Sequence, residues 1–96
     1  MKIVVVATRS ENHTAEEFAP HLPAESKKAL QLFASDVVRE IYSRADGKGA
    51  ILVLEADNEE AALARLGELP LVAAGMLDLE IYPVGPYRGI IAASEA

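Results

Sequence analysis

Residues 37–54 read Val37-Val38-Arg39-Glu40-Ile41-Tyr42-Ser43-Arg44-Ala45-Asp46-Gly47-Lys48-Gly49-Ala50-Ile51-Leu52-Val53-Leu54, and their period decides the fold. Over 37–45 the side chains alternate, with Val37, Arg39, Ile41 and Ser43 in one set and Val38, Glu40, Tyr42 and Arg44 in the other. A two-residue period belongs to a strand, whose successive side chains leave opposite faces of a sheet. Asp46-Gly47-Lys48-Gly49 then supplies two glycines that tolerate positive φ, and Ala50–Leu54 resumes an apolar β run. The stretch therefore predicts a hairpin.

Towards the N-terminus, Ala29, Leu30, Leu32, Phe33 and Val37 recur at helical spacing and predict a helix from about Pro23 to Asp36. Pro23 suits its first turn, and Glu25 suits the positive end of its dipole. Thr14 and Glu17 have the capping-box spacing, so a shorter turn starts at Ala15 and is interrupted by Pro20 and Pro23. Ile3–Thr8 is a β-branched run that predicts a buried first strand. Towards the C-terminus, Asp57 or Asn58 caps a helix with Ala61, Leu63, Ala64 and Leu66 as its apolar residues and Gly67 at its end. Pro70 is expected to block further helix, leaving Leu71–Gly75 as an apolar connection. Leu77–Val84 alternates again as a fourth strand. Tyr87–Ile91 is a short apolar tail, expected as an edge strand or as an arm on a partner chain, and residues 92–96 are expected to fray.

Strand, helix, strand, strand, helix, strand is the ferredoxin-like βαββαβ order, an α+β fold with a four-stranded antiparallel sheet and two helices on one face. At 96 residues the chain is read as one domain over 1–96. Nine Lys and Arg against fifteen Asp and Glu give a net charge of −6, which repels polyanions, so nucleic acid and anionic membrane are not expected partners. Cysteine is absent, which excludes disulfides, thiol nucleophiles and thiolate metal sites. The apolar start Met1–Val6 is too short for a secretory segment and runs into Arg9 and Glu11, making the cytoplasm the expected compartment.

Hairpin parity places Glu40, Tyr42 and Arg44 on one face with Ile51, Val53 and Glu55, while Val37, Ile41, Ala50, Leu52 and Leu54 meet the helices. By the same alternation Leu77, Leu79 and Ile81 point to the helices, leaving Asp78, Glu80 and Tyr82 on the open face. That face is too apolar for a simple solvated surface and too polar for a sealed core. Two such sheets packed face to face would bury its valines and isoleucines and enclose the polar groups in a cavity, as in a dimeric α+β barrel.

Two segments carry a resemblance. Leu69-Pro70-Leu71 followed by Met76 and Asp78-Leu79-Glu80-Ile81, together with Arg39-Glu40-Ile41-Tyr42-Ser43-Arg44 leading into a β run, resemble the muconolactone isomerase-like family of dimeric α+β barrels. The resemblance implies a homodimer or higher homo-oligomer, a cavity between sheets, no cofactor, and an isomerase activity that shifts a proton on a small lactone or related ring. The chain has no tryptophan, so Tyr42 and Arg44 alone answer to the family's aromatic and basic residues around the second strand.

The candidate chemistry follows from residue types. Glu40 or Glu80, and less directly Glu55, can abstract a proton α to a carbonyl if burial raises the carboxyl pKa. Arg44 can fork onto a substrate carboxylate, with an ion pair to Asp78 or Glu80 as its structural alternative. Tyr42 or Tyr82 can hydrogen-bond a developing enolate, and Asp78 belongs to the same lining. His13 and His21 match no metal spacing; they read as surface residues, with His21 a candidate base at a cavity mouth. Arg9 at the end of the first strand can meet an anionic ligand. Three functions compete: a cofactor-free isomerase, a non-catalytic ligand-binding or oligomerisation module, and a cofactor-free monooxygenase.

Overall fold

The computed structural model describes residues 1–95. The elements are β1 (Lys2–Arg9), α1 (Ala15–Phe18), a 3-10 turn (Ala19–His21), α2 (Leu22–Ala34), β2 (Val38–Ser43), β3 (Gly49–Glu55), α3 (Glu59–Leu66), α4 (Pro70–Ala73), β4 (Leu77–Val84) and α5 (Arg88–Glu95). The strands form one antiparallel sheet in the order β2-β3-β1-β4. The apolar β1 and β3 take the centre, where both ladder edges are paired. β4 lies at an edge, where Pro83, lacking an N–H, is tolerated.

Local chemistry explains the helix ends. Thr14 Oγ1 accepts from the Glu17 amide at 3.3 Å while Glu17 Oε1 accepts from the Thr14 amide at 3.0 Å, closing the capping box. Asn58, rather than Asp57, caps α3 through Oδ1, which accepts from the Ala61 amide at 2.8 Å. α2 ends on Asp36 at φ 63°, which lets the Val37 amide reach back to Leu32 O at 3.0 Å. Gly75 at φ 70° ends α4 the same way, with the Met76 amide on Leu71 O. Gly49 is required where β3 meets β1, because a Cβ there would stand 2.0 Å from Ala7 O.

The core lies between the sheet and α2, α3 and the Leu69–Leu71 corner. Ile3, Val5, Leu52 and Leu54 meet Leu32, Ala62, Leu66 and Leu69 there. Cross-strand pairs Tyr42 with Ile51, Glu40 with Val53, Val6 with Glu80 and Val4 with Tyr82 confirm the expected open face.

Three local expectations are corrected. A bulge at Arg39 shifts the register between Val38 and Glu40, so Val38, expected beside Glu40, turns to the helices and is 1% exposed. Pro70 begins α4 instead of blocking helix, because its missing N–H falls where a first turn has no partner to lose. The tail after Tyr87 is not an edge strand: it forms α5, which continues through 92–95, while Ala96 lies outside the described residues. Every described residue from Tyr82 onward is exposed, and the long axis reaches 56 Å. The radius of gyration is 15.3 Å, against about 12.5 Å for a compact chain of this length. α5 therefore stands off the domain.

Candidate functional site

The open face carries the six residues singled out from the sequence, in three separate places. On β2, Tyr42 Oη donates to Glu40 Oε1 at 2.7 Å; on β4, Tyr82 Oη donates to Glu80 Oε2. In each pair the carboxylate stabilises the O–H form and holds the phenol pKa above its ordinary value, through the hydrogen bond first and charge second. The two pairs sit on opposite edge strands, three strand spacings or about 14 Å apart. Between them lie Val4, Val6, Ile51 and Val53, all half-buried.

Arg44 forms the third place. Its Nη1 donates to Thr8 Oγ1 at 2.7 Å and its Nη2 to Asp46 Oδ2 at 2.6 Å. The ion-pair partner is thus Asp46, not Asp78 or Glu80, because the hairpin turn folds Asp46 back within reach. Asp46 also accepts from the Lys48 amide, and that bond, ahead of the bond from Arg44, holds its carboxyl below the usual range. Asp78 is exposed and pairs with Thr8 in the register. Glu55 accepts from the Met1 amine at 2.6 Å, a hydrogen bond that lowers its pKa from the ordinary value.

The opposite face holds a carboxylate that sequence reasoning assigned only to the helix dipole. Glu25, in the first turn of α2, is half-buried and accepts from the Leu71 amide of α4 at 2.9 Å. Burial pushes its pKa up, with the Leu71 hydrogen bond and the charge of His21 opposing. It borders a cavity of about 210 Å³ between α2, β2, β3 and Leu71. Ser26, Ser43 and Arg9 bring the polar groups to that cavity, and Ala7, Leu22, Ala29, Ile41 and Leu77 form much of the apolar wall.

Arg9 also borders a second cavity of about 290 Å³ with Ser10, His13 and Lys48. Its guanidinium stands 5.0 Å from the centroid of the Phe18 ring. His13, expected at the surface, is half-buried edge-on to Phe18, and its Nδ1 is buried without a hydrogen-bond partner. His21 is half-buried just before α2, where its charge reaches Glu25. Among the described residues no three His, Cys, Asp or Glu side chains group as a metal site would, and no helix is long and apolar enough to cross a membrane.

No family model matches the sequence, and no curated protein matches it. Solved structures do. Muconolactone isomerase, in a crystal structure at 3.3 Å resolution, superposes with a TM-score of 0.72 at 20% identity over 91% of each chain. The 5-chloro-2-hydroxyhydroquinone dehydrochlorinase of Burkholderia phenoliruptrix AC1100, in complex with 2,5-dihydroxybenzoquinone, superposes with a TM-score of 0.71 at 12% identity, over 93% of this chain and 98% of that one. The chain therefore has the α+β barrel fold of muconolactone isomerase, as its two resembling segments implied.

Proposed function

We propose that this protein pairs with a second copy through its open sheet face and binds a small carbonyl compound in the cavity under α2, where Glu25 moves a proton without a cofactor. The observation that carries the reading is the environment of Glu25. A carboxylate half-removed from water, held by one backbone amide and bordering a largely apolar cavity, is a stronger base than a solvated one. Both neighbours of this fold act on small ring compounds by their names, which supports a small-molecule ligand.

In the proposed step Glu25 takes a proton from the carbon α to the carbonyl of an unsaturated lactone, and the electron pair left behind delocalises onto the carbonyl oxygen. Donors bordering the cavity, Arg9 or the Ser26 and Ser43 hydroxyls, stabilise that oxyanion. Delivery of a proton from the Glu25 carboxyl, after exchange with water, to the γ carbon shifts the double bond and restores the carboxylate. Pairing is supported by the open face, whose half-buried Val4, Val6, Ile51 and Val53 are rimmed by the two Tyr–Glu pairs, the apolar centre and polar edge of an interface.

A second reading keeps the chemistry on the open face. There Glu40 or Glu80 is the base, Tyr42 or Tyr82 binds the enolate, and Arg44 and Asp78 contact the substrate in the space between paired sheets. The placement of a phenol beside a carboxylate on each edge strand of that face favours it. A binding module without turnover is the remaining alternative.

Incubating the protein with unsaturated lactones in deuterated water and following proton exchange by NMR separates these. Loss of exchange in Glu25→Gln, with Glu40→Gln and Glu80→Gln active, supports the cavity; the reverse pattern supports the open face. Ligand-induced stabilisation without exchange leaves the binding module.

A further inference from the structure

The second cavity, of about 290 Å³, shares only Arg9 with the cavity beside Glu25. Two segments far apart in the chain build it, the loop that follows β1 and the β2–β3 turn at Gly47-Lys48. The Arg9 amide donates to Lys48 O at 2.7 Å and the Ser10 amide to Met76 O at 2.9 Å, so the cationic side chains of Arg9 and Lys48 start from backbone that is already fixed.

Donors outnumber free acceptors there. Among the described residues Arg9 and Lys48 enter no ion pair, and the Arg9 guanidinium is oriented by the Phe18 ring, 5.0 Å from its centroid. The nearby acceptors are engaged: Thr8 Oγ1 and Asp46 Oδ2 accept from Arg44, and Asp46 Oδ1 from the Lys48 amide. Glu11, exposed, is the one carboxylate among the described residues that border the cavity. Two cations against one carboxylate make the cavity locally positive in a chain of net charge −6.

His13 adds a donor that charge counting misses. Its Nδ1 is buried without a partner, whereas Nε2 is not shut off in that way. An N–H buried without an acceptor is worse tolerated than a buried lone pair, which assigns the proton of the neutral ring to Nε2. The ring thus offers an N–H without needing to be charged. We propose that this cavity binds a small organic carboxylate, whose oxygens accept from Arg9, Lys48 and the His13 Nε2–H while its apolar body rests against Phe18 and Ala15. Charged donors on a carboxylate make the stronger class of hydrogen bond. The volume lies close to the lower end of the ~300–1,000 Å³ of small-molecule sites, which suits a compact organic anion better than a bare inorganic one. One consequence rests on the Glu25 reading: an Arg9 committed to this anion leaves the oxyanion of the proton transfer to Ser26 and Ser43. The anion site itself does not depend on that reading.

The test titrates the isotope-labelled full-length protein with benzoate, with its neutral isostere benzamide and with inorganic phosphate, following the Lys48 amide and the His13 ring by NMR. Benzoate should shift both signals saturably, and benzamide should bind at least about tenfold more weakly, the loss expected when a charged acceptor is removed. Lys48→Met, at an exposed position, should weaken benzoate by a similar factor. So should His13→Phe, which keeps the edge-on ring and removes its nitrogens; circular dichroism checks that both variants fold. Absence of a saturable shift, equal affinity for benzamide, or indifference to both variants overturns the site. Phosphate moving these signals while benzoate leaves them in place overturns the assignment to an organic anion. Proton exchange is not the readout, so failure here is distinct from failure of the Glu25 reading.

Discussion

Val53 and Leu54 are neighbours on one strand, yet Leu54 is wholly buried and Val53 only half-buried. The same contrast separates Val5 from Val4 and Val6 on β1. Residue type does not distinguish these positions. The helices do, because they cover one side of the sheet and leave the other to water or to a partner. The covered side became the core, with one half-buried carboxylate at its margin; the open side collected paired phenols, carboxylates and an arginine, all solvent-accessible. A carboxylate gains basicity from lost solvent, so the chemically unusual group is the solitary one, not the cluster.

The largest effect that can break this contrast is on catalysis. Glu25→Gln should lower proton exchange by about 10²–10⁴-fold if it is the base, whereas Glu80→Gln should leave exchange within a few-fold. Next comes stability. Leu54→Ala should cost about 2–5 kcal/mol in denaturant unfolding, while Val53→Ala should cost well under half as much. By contrast, Val53→Glu should leave the monomer folded but shift the molar mass measured by light scattering from dimer to monomer.

The pH dependence of Glu25 has a defined sign. Its folded pKa lies above the unfolded one, so its contribution to stability is full below the ordinary carboxylate range and is lost as pH rises through the folded value. Glu25→Gln should therefore flatten the fall in stability just above that range, as read from thermal unfolding at a series of pH values. On the open face the effect is spectroscopic: Glu40→Gln should bring the Tyr42 phenol down towards its ordinary pKa, checked by phenolate absorbance. Smallest is Arg44→Met. A part-exposed ion pair of this kind contributes about 0.2–1 kcal/mol, so the fold should survive with little change in Tm.

Much of the fold was legible because periodicity is a local signal. The hairpin parity of Tyr42 with Ile51 and Glu40 with Val53 follows from the turn residues and, with the alternation of Leu77–Val84, it placed all six open-face candidates on one side of the sheet. What escaped was set by contacts distant in the chain. Val38 could not be read as buried, since the bulge at Arg39 is a response to the register with Leu54. Arg44 found Asp46 and Thr8 instead of Asp78 because side-chain reach depends on the folded turn. Glu25 looked like an ordinary first-turn acid, and nothing near it in sequence announces the Leu71 amide, 46 residues on, or the cavity wall that dries it.

By itself, the order of residues determined the element sequence, the two faces of each strand and the surplus of apolar groups on a face its own helices leave bare. Those are consequences of backbone period and of water's aversion to hydrocarbon, and both act over a few residues. Tertiary structure alone decided which carboxylate loses its solvent, which guanidinium is already satisfied, and that residues 88–95 form a helix held away from the body. Each of these depends on which distant segments meet, and the energy of a charge depends on what surrounds it.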